Sequence, residues 1–130
     1  MNNVYDFMMG DFVYLRDDIR QVVQINDNGV CVVPLDNPED YYVGQPFEFE
    51  GIPLTQNLLL NSGYHLTFAG DGYLHSSDLF KIILSGRNQL YFQLGTEAFH
   101  LRYVHQLQHI YNLRGLYHLS DDISLKSINL

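Results

Sequence analysis

The chain has 130 residues, 46% apolar and 17% charged, with one cysteine, ten tyrosines and no tryptophan. That is the size and make-up of an ordinary globular domain, which can bury a core without metal or disulfide, and it excludes a disordered or low-complexity chain. The net charge of −8 falls wholly on residues 1–50, with two basic and ten acidic residues, while residues 51–130 carry five of each; a phosphate backbone would be repelled by the first part and not attracted by the second, which disfavours direct nucleic-acid binding.

In chain order, "DFVYLR", "IRQVVQI" and "VCVVPL" read as three successive strands between Asp11 and Leu35. Asp17-Asp18 is expected to make the first turn, and Asn26-Asp27-Asn28-Gly29 the second, through an Asn-Gly pair that readily takes positive φ. Pro34 ends the third strand, and "DNPEDYYVGQP" reads as a polar loop. "FEFE" then alternates, with Phe47 and Phe49 expected on one side of a fourth strand and Glu48 and Glu50 on the other. Gly10-Asp11-Phe12-Val13 at the head of these short strands resembles the opening of a small SH3-like barrel.

"GIPLTQNLLLNSGY" joins the two parts. Pro53 stops the preceding strand, Thr55 is a good N-cap, and Gly63 suits the left-handed position that ends a short helix. From Tyr64 the strands return as "YHLTFAG", "GYLHS", "LFKIILSG" and "NQLYFQLG", separated by Asp71-Gly72, Ser76-Ser77-Asp78 and Gly86-Arg87-Asn88. This is the pattern of an antiparallel meander. Gly95 is expected to close the last strand, "AFHLR" to be a short extended piece, and the segment after Gly115 to add one weak strand.

"RYVHQLQHIYNLRG", residues 102–115, has helical spacing. On a helical wheel Tyr103, Ile110, Arg114, Leu107, Tyr111 and Val104 share one arc, apolar except for Arg114, of the width a helix uses to lie on a sheet. Gly115 is the expected C-cap. The opposite side carries His105, Gln108, His109 and Asn112 without an Asp, Glu or Lys. A solvated face normally carries charge, so this one is expected to be half wet, covering part of the barrel or meeting a second subunit.

His105 and His109 stand one turn apart, a spacing that two-histidine zinc sites use. Gln106 occupies the place of the base those sites need, and no third ligand has a suggestive spacing, so no metal site and no cofactor is expected. Gly-x-Ser-x-Gly, phosphate-cradling glycine loops and cysteine–histidine pairings are absent from the sequence, and no catalytic residue is assigned. Cys31, in an apolar run, reads as a small buried hydrophobe. No basic stretch precedes an apolar segment at the amino terminus, and no apolar run approaches the ~20 residues of a membrane span. The expectation is a cytoplasmic protein with no membrane partner.

"YVHQLQHIYNLRGL" resembles a signature of a family of small uncharacterised proteins of gut Bacteroidales and their phages and mobile elements. The familiar form opens Tyr-Val-His-Gln-Leu-Gln-Asn-Leu-Tyr; Tyr103 to Gln108 and Tyr111 match it, while His109 replaces asparagine and Ile110 replaces leucine. "IPLTQNLLLNSGY", residues 52–64, is similar to the family's Ile-Pro-Leu-Thr followed by a leucine-rich turn, and Gly10 to Val13 also fit, so the likeness spans nearly the whole chain. It implies no particular activity.

The expected fold is therefore α+β: an acidic SH3-like barrel over residues 1–52, then residues 53–130 as a short linking helix and an antiparallel meander packed by helix 102–115, the two parts forming one compact unit. The expected role is that of a non-catalytic accessory protein of a phage or mobile element acting through a protein partner. Tyr41 and Tyr42, in "NPEDYYVGQ", are the candidate contact residues, because tyrosine suits interfaces; either ring can instead fold back on the barrel. A homo-oligomer is compatible with the sequence. The alternative is a regulatory protein that associates with nucleic acid or imitates it through its carboxylates.

Overall fold

Alternating apolar residues set the first sheet. Val13 and Leu15 in strand β1 (Phe12–Leu15), Val22 in β2 (Asp18–Asn26), and Val30 and Val32 in β3 (Gly29–Pro34) turn to one side and form a core with Phe7 and Phe49. Such a period of two is what a half-buried strand requires. In the computed structural model the described residues are 7–77, 80–94 and 96–125. They form an α+β structure with two five-stranded antiparallel sheets and three short α-helices. The chain divides into two compact units: one takes the chain up to Pro53 together with Tyr103–Ile110, the other Leu54–Arg102 together with the chain from Tyr111 onward. Helix 102–115, read from the sequence as part of the second region, thus contributes to both.

The first sheet has the order β4-β3-β2-β1-β5, with β4 at Tyr42–Gly44 and β5 at Glu50–Gly51. Its first hairpin turns one residue earlier than expected: Leu15 faces Asp18, and Arg16 and Asp17 take the positive φ values of 50° and 71° that a tight two-residue hairpin loop demands. At the second turn Gly29 has φ 136°, and a Cβ there would lie 2.5 Å from the Gly44 carbonyl oxygen. Both the conformation and the approach of β4 therefore call for glycine.

Two sequence expectations need correction in this unit. The loop "DNPEDYYVGQP" contains β4, whose Val43 faces Cys31 and whose Tyr42 faces Val32. The strand "FEFE" is instead a 3-10 turn at Pro46–Glu48 followed by the two residues of β5. Pro46 fixes a helical φ, and the Glu48 carboxylate takes the Gln45 N–H at 2.6 Å, so the segment coils. As a result Phe47 and Phe49 do not share a side: Phe47 is 71% exposed and Phe49 1%.

Helix α2 (Val104–Leu113) is shorter than the 102–115 expected. Within the first unit it continues from a bridge between Pro53 and Tyr103, and the Val104 N–H donates to the Ile52 carbonyl at 2.8 Å. Gly51 lies beneath this entry; a Cβ there would be 2.5 Å from the Tyr103 ring and 3.0 Å from His105. Gln108 then bonds to the backbone at the head of β1. Its Oε1 accepts the Phe12 N–H at 2.9 Å and its Nε2 donates to the Gly10 carbonyl at 3.0 Å.

The second unit begins with helix α1 (Gln56–Asn61), capped as expected by Thr55, whose hydroxyl accepts the Leu58 N–H at 3.1 Å. Strands β6 (Tyr64–Leu66), β7 (Gly72–His75), β8 (Lys81–Leu84), β9 (Leu90–Leu94) and β10 (Glu97–His100) come next, in the meander order β10-β9-β8-β7-β6. The piece read as merely extended, "AFHLR", is thus a paired fifth strand in which Phe99 faces Phe92. Asp78 and Leu79, placed in a turn and a strand from the sequence, and Gly95, the expected strand end, lie outside the described residues.

Gly115, at φ 69°, ends α2 as the sequence indicates. Its N–H donates to Asn112 and the Leu116 N–H to Tyr111, the paired bonds of a Schellman cap. Beyond the cap the chain forms a short helix α3 (His118–Asp121), not the weak strand expected; residues 126–130 lie outside the described residues. Leu119 is buried on α3. In the same unit Tyr111 meets Tyr64 hydroxyl to hydroxyl at 2.5 Å, and Phe80 packs its face on Phe92 and its edge toward Tyr111.

Gln108→Leu preserves bulk but leaves the buried Phe12 N–H without its acceptor, so urea unfolding should show a loss of about 2–3 kcal/mol, against under about 1 kcal/mol for Asn112→Ala on the same face. In the second unit, burial pushes the Tyr64 and Tyr111 phenols above the ordinary tyrosine range, and for Tyr64 the neighbouring Tyr111 adds to the effect. Their contribution is whole while both folded and unfolded states keep the phenol proton. It is lost as pH climbs above about 10, where only the unfolded chain ionises. Stability measured against pH should fall in that alkaline range, and fall less steeply in the Tyr64→Phe/Tyr111→Phe double variant.

Candidate interaction surface

The uncharged face of α2 is buried at His105 and Gln108 and partly exposed at His109 and Asn112. His105 is fully buried and Gln108 is 2% exposed, both within the first unit. The absence of charge there reflects burial inside the chain. His105 stacks on Tyr103 with ring centroids 5.6 Å apart and meets the Phe7 ring edge-on at 5.1 Å. His109 directs Nε2 to Asp11 Oδ2 at 2.7 Å; since a carboxylate only accepts, the imidazole N–H donates. The same Asp11 oxygen accepts the Met8 N–H at 2.7 Å, and Asp11 is 1% exposed. One nitrogen of His109 is therefore committed to holding the residues just ahead of β1. Among the described residues no group of three or more His, Cys, Asp or Glu is placed to hold a metal ion.

His75 sits in a second polar cluster, in the second unit. Its Nδ1 lies 2.7 Å from Ser77 Oγ and accepts the Ser77 backbone N–H at 3.2 Å, while Nε2 is 3.5 Å from Asp122 Oδ2. The backbone donor fixes Nδ1 as the unprotonated nitrogen, so the Ser77 hydroxyl donates to it and Nε2 carries the hydrogen toward Asp122. The residue types are those of a nucleophilic triad. The arrangement, however, is a local turn: Ser77 is two residues from His75 and engages one ring nitrogen with both its backbone and its side chain. That is a side chain satisfying a turn.

Tyr41 and Tyr42 are adjacent in sequence but differ in setting. Tyr42 is half-buried against the first core, with its ring edge-on to Phe49 and the Arg16 guanidinium 5.6 Å above it. Its hydroxyl donates to Glu48 Oε1 at 2.5 Å. The Tyr42 hydroxyl and, after it, the Gln45 N–H hold the Glu48 carboxyl below its ordinary range, and the same bond raises the Tyr42 phenol. Tyr42 is thus the ring that folds back. Tyr41 is 66% exposed, and Val43, two residues along, is 46% exposed.

The loop before Tyr41 is pinned by its backbone, which leaves its acids outward. Asn37 accepts the Glu39 N–H on its side chain at 3.3 Å and the Asp40 N–H on its carbonyl at 3.1 Å; Arg20 donates from Nη1 to the Asp40 carbonyl at 3.2 Å. Asp36, Glu39 and Asp40 are exposed, and among the described residues none of their carboxylates enters an ion pair. Cys31, opposite Val43, is half-buried, not fully buried as the sequence suggested, because it lies on the side of β3 away from Val30 and Val32. The sequence reading missed β4 because Pro38, Gly44 and Pro46 frame it as a loop; the β-forming run Tyr-Tyr-Val was the available signal.

Tyr42→Phe should raise the titration midpoint of Glu48 toward that of an ordinary carboxylate, read from its side-chain carbon shift against pH, because the largest cause of its lowering is gone. No helix among the described residues is long and apolar enough to cross a membrane. Compared with known proteins, the chain matches no family model, no curated protein and no solved structure.

Proposed function

We propose that the chain is a non-catalytic accessory protein of a phage or mobile element, working in the cytoplasm through contact with a protein partner. In this reading it belongs with the small gut Bacteroidales proteins that share the "YVHQLQ" and "IPLT" motifs, and its first five strands are a small SH3-like barrel serving as the binding scaffold. The observation that carries the reading is the pairing of Tyr41 and Tyr42: the second ring is fastened by Glu48 and Phe49, and the first stands outward at 66% exposure beside a loop of exposed carboxylates. An aromatic ring on a fixed backbone gives contact area at little entropic cost.

A second reading is supported by the carboxylates themselves. Exposed Asp27, Asp36, Glu39 and Asp40 on one small sheet are spaced charges of the kind that can occupy a nucleic-acid-binding protein in place of a phosphate backbone. The two readings separate by side chain. Affinity capture from the native host with the wild-type chain and with Tyr41→Ala should retain a partner on the first and lose it on the second, by about tenfold or more. A partner retained equally by Tyr41→Ala, and displaced by added DNA, would favour the mimic.

A further inference from the structure

Strand β4 ends the first sheet: it pairs with β3 alone, and among the described residues no strand lies beyond it in the sheet order. An unpaired edge of this kind is a template for another strand unless it is blocked. At 3 residues β4 offers only a short template, but no proline or charge within Tyr42, Val43 and Gly44 blocks pairing. Val43 stands outward with Tyr41 beside it.

The surroundings specify what the edge would accept. The loop leading into β4 sets out Asp36, Glu39 and Asp40, while Asp27 projects from the turn between β2 and β3. The two cations of the first fifty residues lie at this same edge, Arg16 over the Tyr42 ring of β4 and Arg20 on the Asp40 carbonyl. With the exposed carboxylates of Asp27, Asp36, Glu39 and Asp40 against those two guanidiniums, the rim is net negative around an apolar pair. A second copy of this chain would bring the same carboxylates against it, and like charges across an edge cost affinity.

We infer that the β4 edge takes an extended segment of a partner protein, added as a further strand, in which lysine or arginine alternates with apolar residues. Main-chain hydrogen bonds to β4 supply the affinity. Tyr41 and Val43 meet the apolar side chains, and the rim carboxylates meet the cations. This rests on the protein-contact reading above and names the partner's chemistry.

The test uses the full chain and two synthetic peptides, one alternating lysine with valine and one alternating glutamate with valine, followed by amide NMR titration. The lysine peptide should shift the amides of residues 41–44 and bind less well as salt rises; the glutamate peptide should do neither. Val43→Lys and the triple variant D36N/E39Q/D40N alter only exposed side chains, and each should weaken the lysine peptide by roughly tenfold. No binding, shifts confined to other surfaces, or undiminished affinity in both variants would overturn the inference. Presenting the same proteins to a lysate of the native host separates it from its premise. A partner held equally by wild type and both variants removes the edge and keeps the contact reading, whereas retention of nothing by the wild type removes the contact reading.

Discussion

The bonds from Gln108 and His109 to residues 10–12 are the constraint on which the first unit depends. They link positions almost a hundred apart in sequence, and they act where the chain is about to enter β1. Three polar groups converge there: the Phe12 N–H, the Gly10 carbonyl and the buried Asp11 carboxylate. Each needs a partner away from water, since an orphaned buried polar group costs more than a satisfied one contributes. Glutamine answers the first two at once because its amide carries both a donor and an acceptor, and histidine answers the Oδ2 atom of the third. The Gly10 carbonyl takes a second donor from Gln21 Nε2 on β2, so the helix and the sheet meet on one oxygen.

That arrangement explains the composition of the helix face better than any catalytic demand. A lysine or glutamate at 105 or 108 would carry a full charge into an interior that holds aromatic rings from Phe7 and Tyr103. Neutral hydrogen-bonding residues fill the same space and avoid that desolvation. Of the two imidazoles one turn apart, His109 is bonded to the buried Asp11 and His105 is packed against the Tyr103 and Phe7 rings.

Legibility in the sequence tracked the range of the interaction. The hairpins of β1 to β3, the Thr55 cap, the meander and the Gly115 cap depend on neighbours a few residues apart, and their residues announce them. Where a less regular or longer-range contact decides, the simple periodic pattern misleads. The "FEFE" alternation coils because Pro46 and Glu48 start a turn, and the final segment becomes α3 with Leu119 buried. The lack of charge at 105–112 was visible, but Asp11 as its counterpart was not: an acid in an acidic region gives no sign that it is the buried one. Of the two candidate tyrosines, which ring is held and which is exposed depends on Glu48 and Phe49, and spacing alone does not assign it.

The acidity of the first fifty residues then divides into two roles by burial. Asp11 and Glu48 serve internally, one holding His109 and the Met8 N–H, the other Tyr42 and the Gln45 N–H. The exposed carboxylates of Asp36, Glu39 and Asp40 satisfy no structural requirement that the fold displays, and their mutual repulsion opposes compaction. Their loop is nonetheless pinned by Asn37 and Arg20 through backbone atoms, so the charges are presented on a constrained backbone. A solubilising function needs only that charges be exposed, and a slack loop would serve it. A pinned acidic loop set against an open strand edge carrying an outward tyrosine and valine is a more specific arrangement, and recognition of a cationic extended segment makes use of each of its parts.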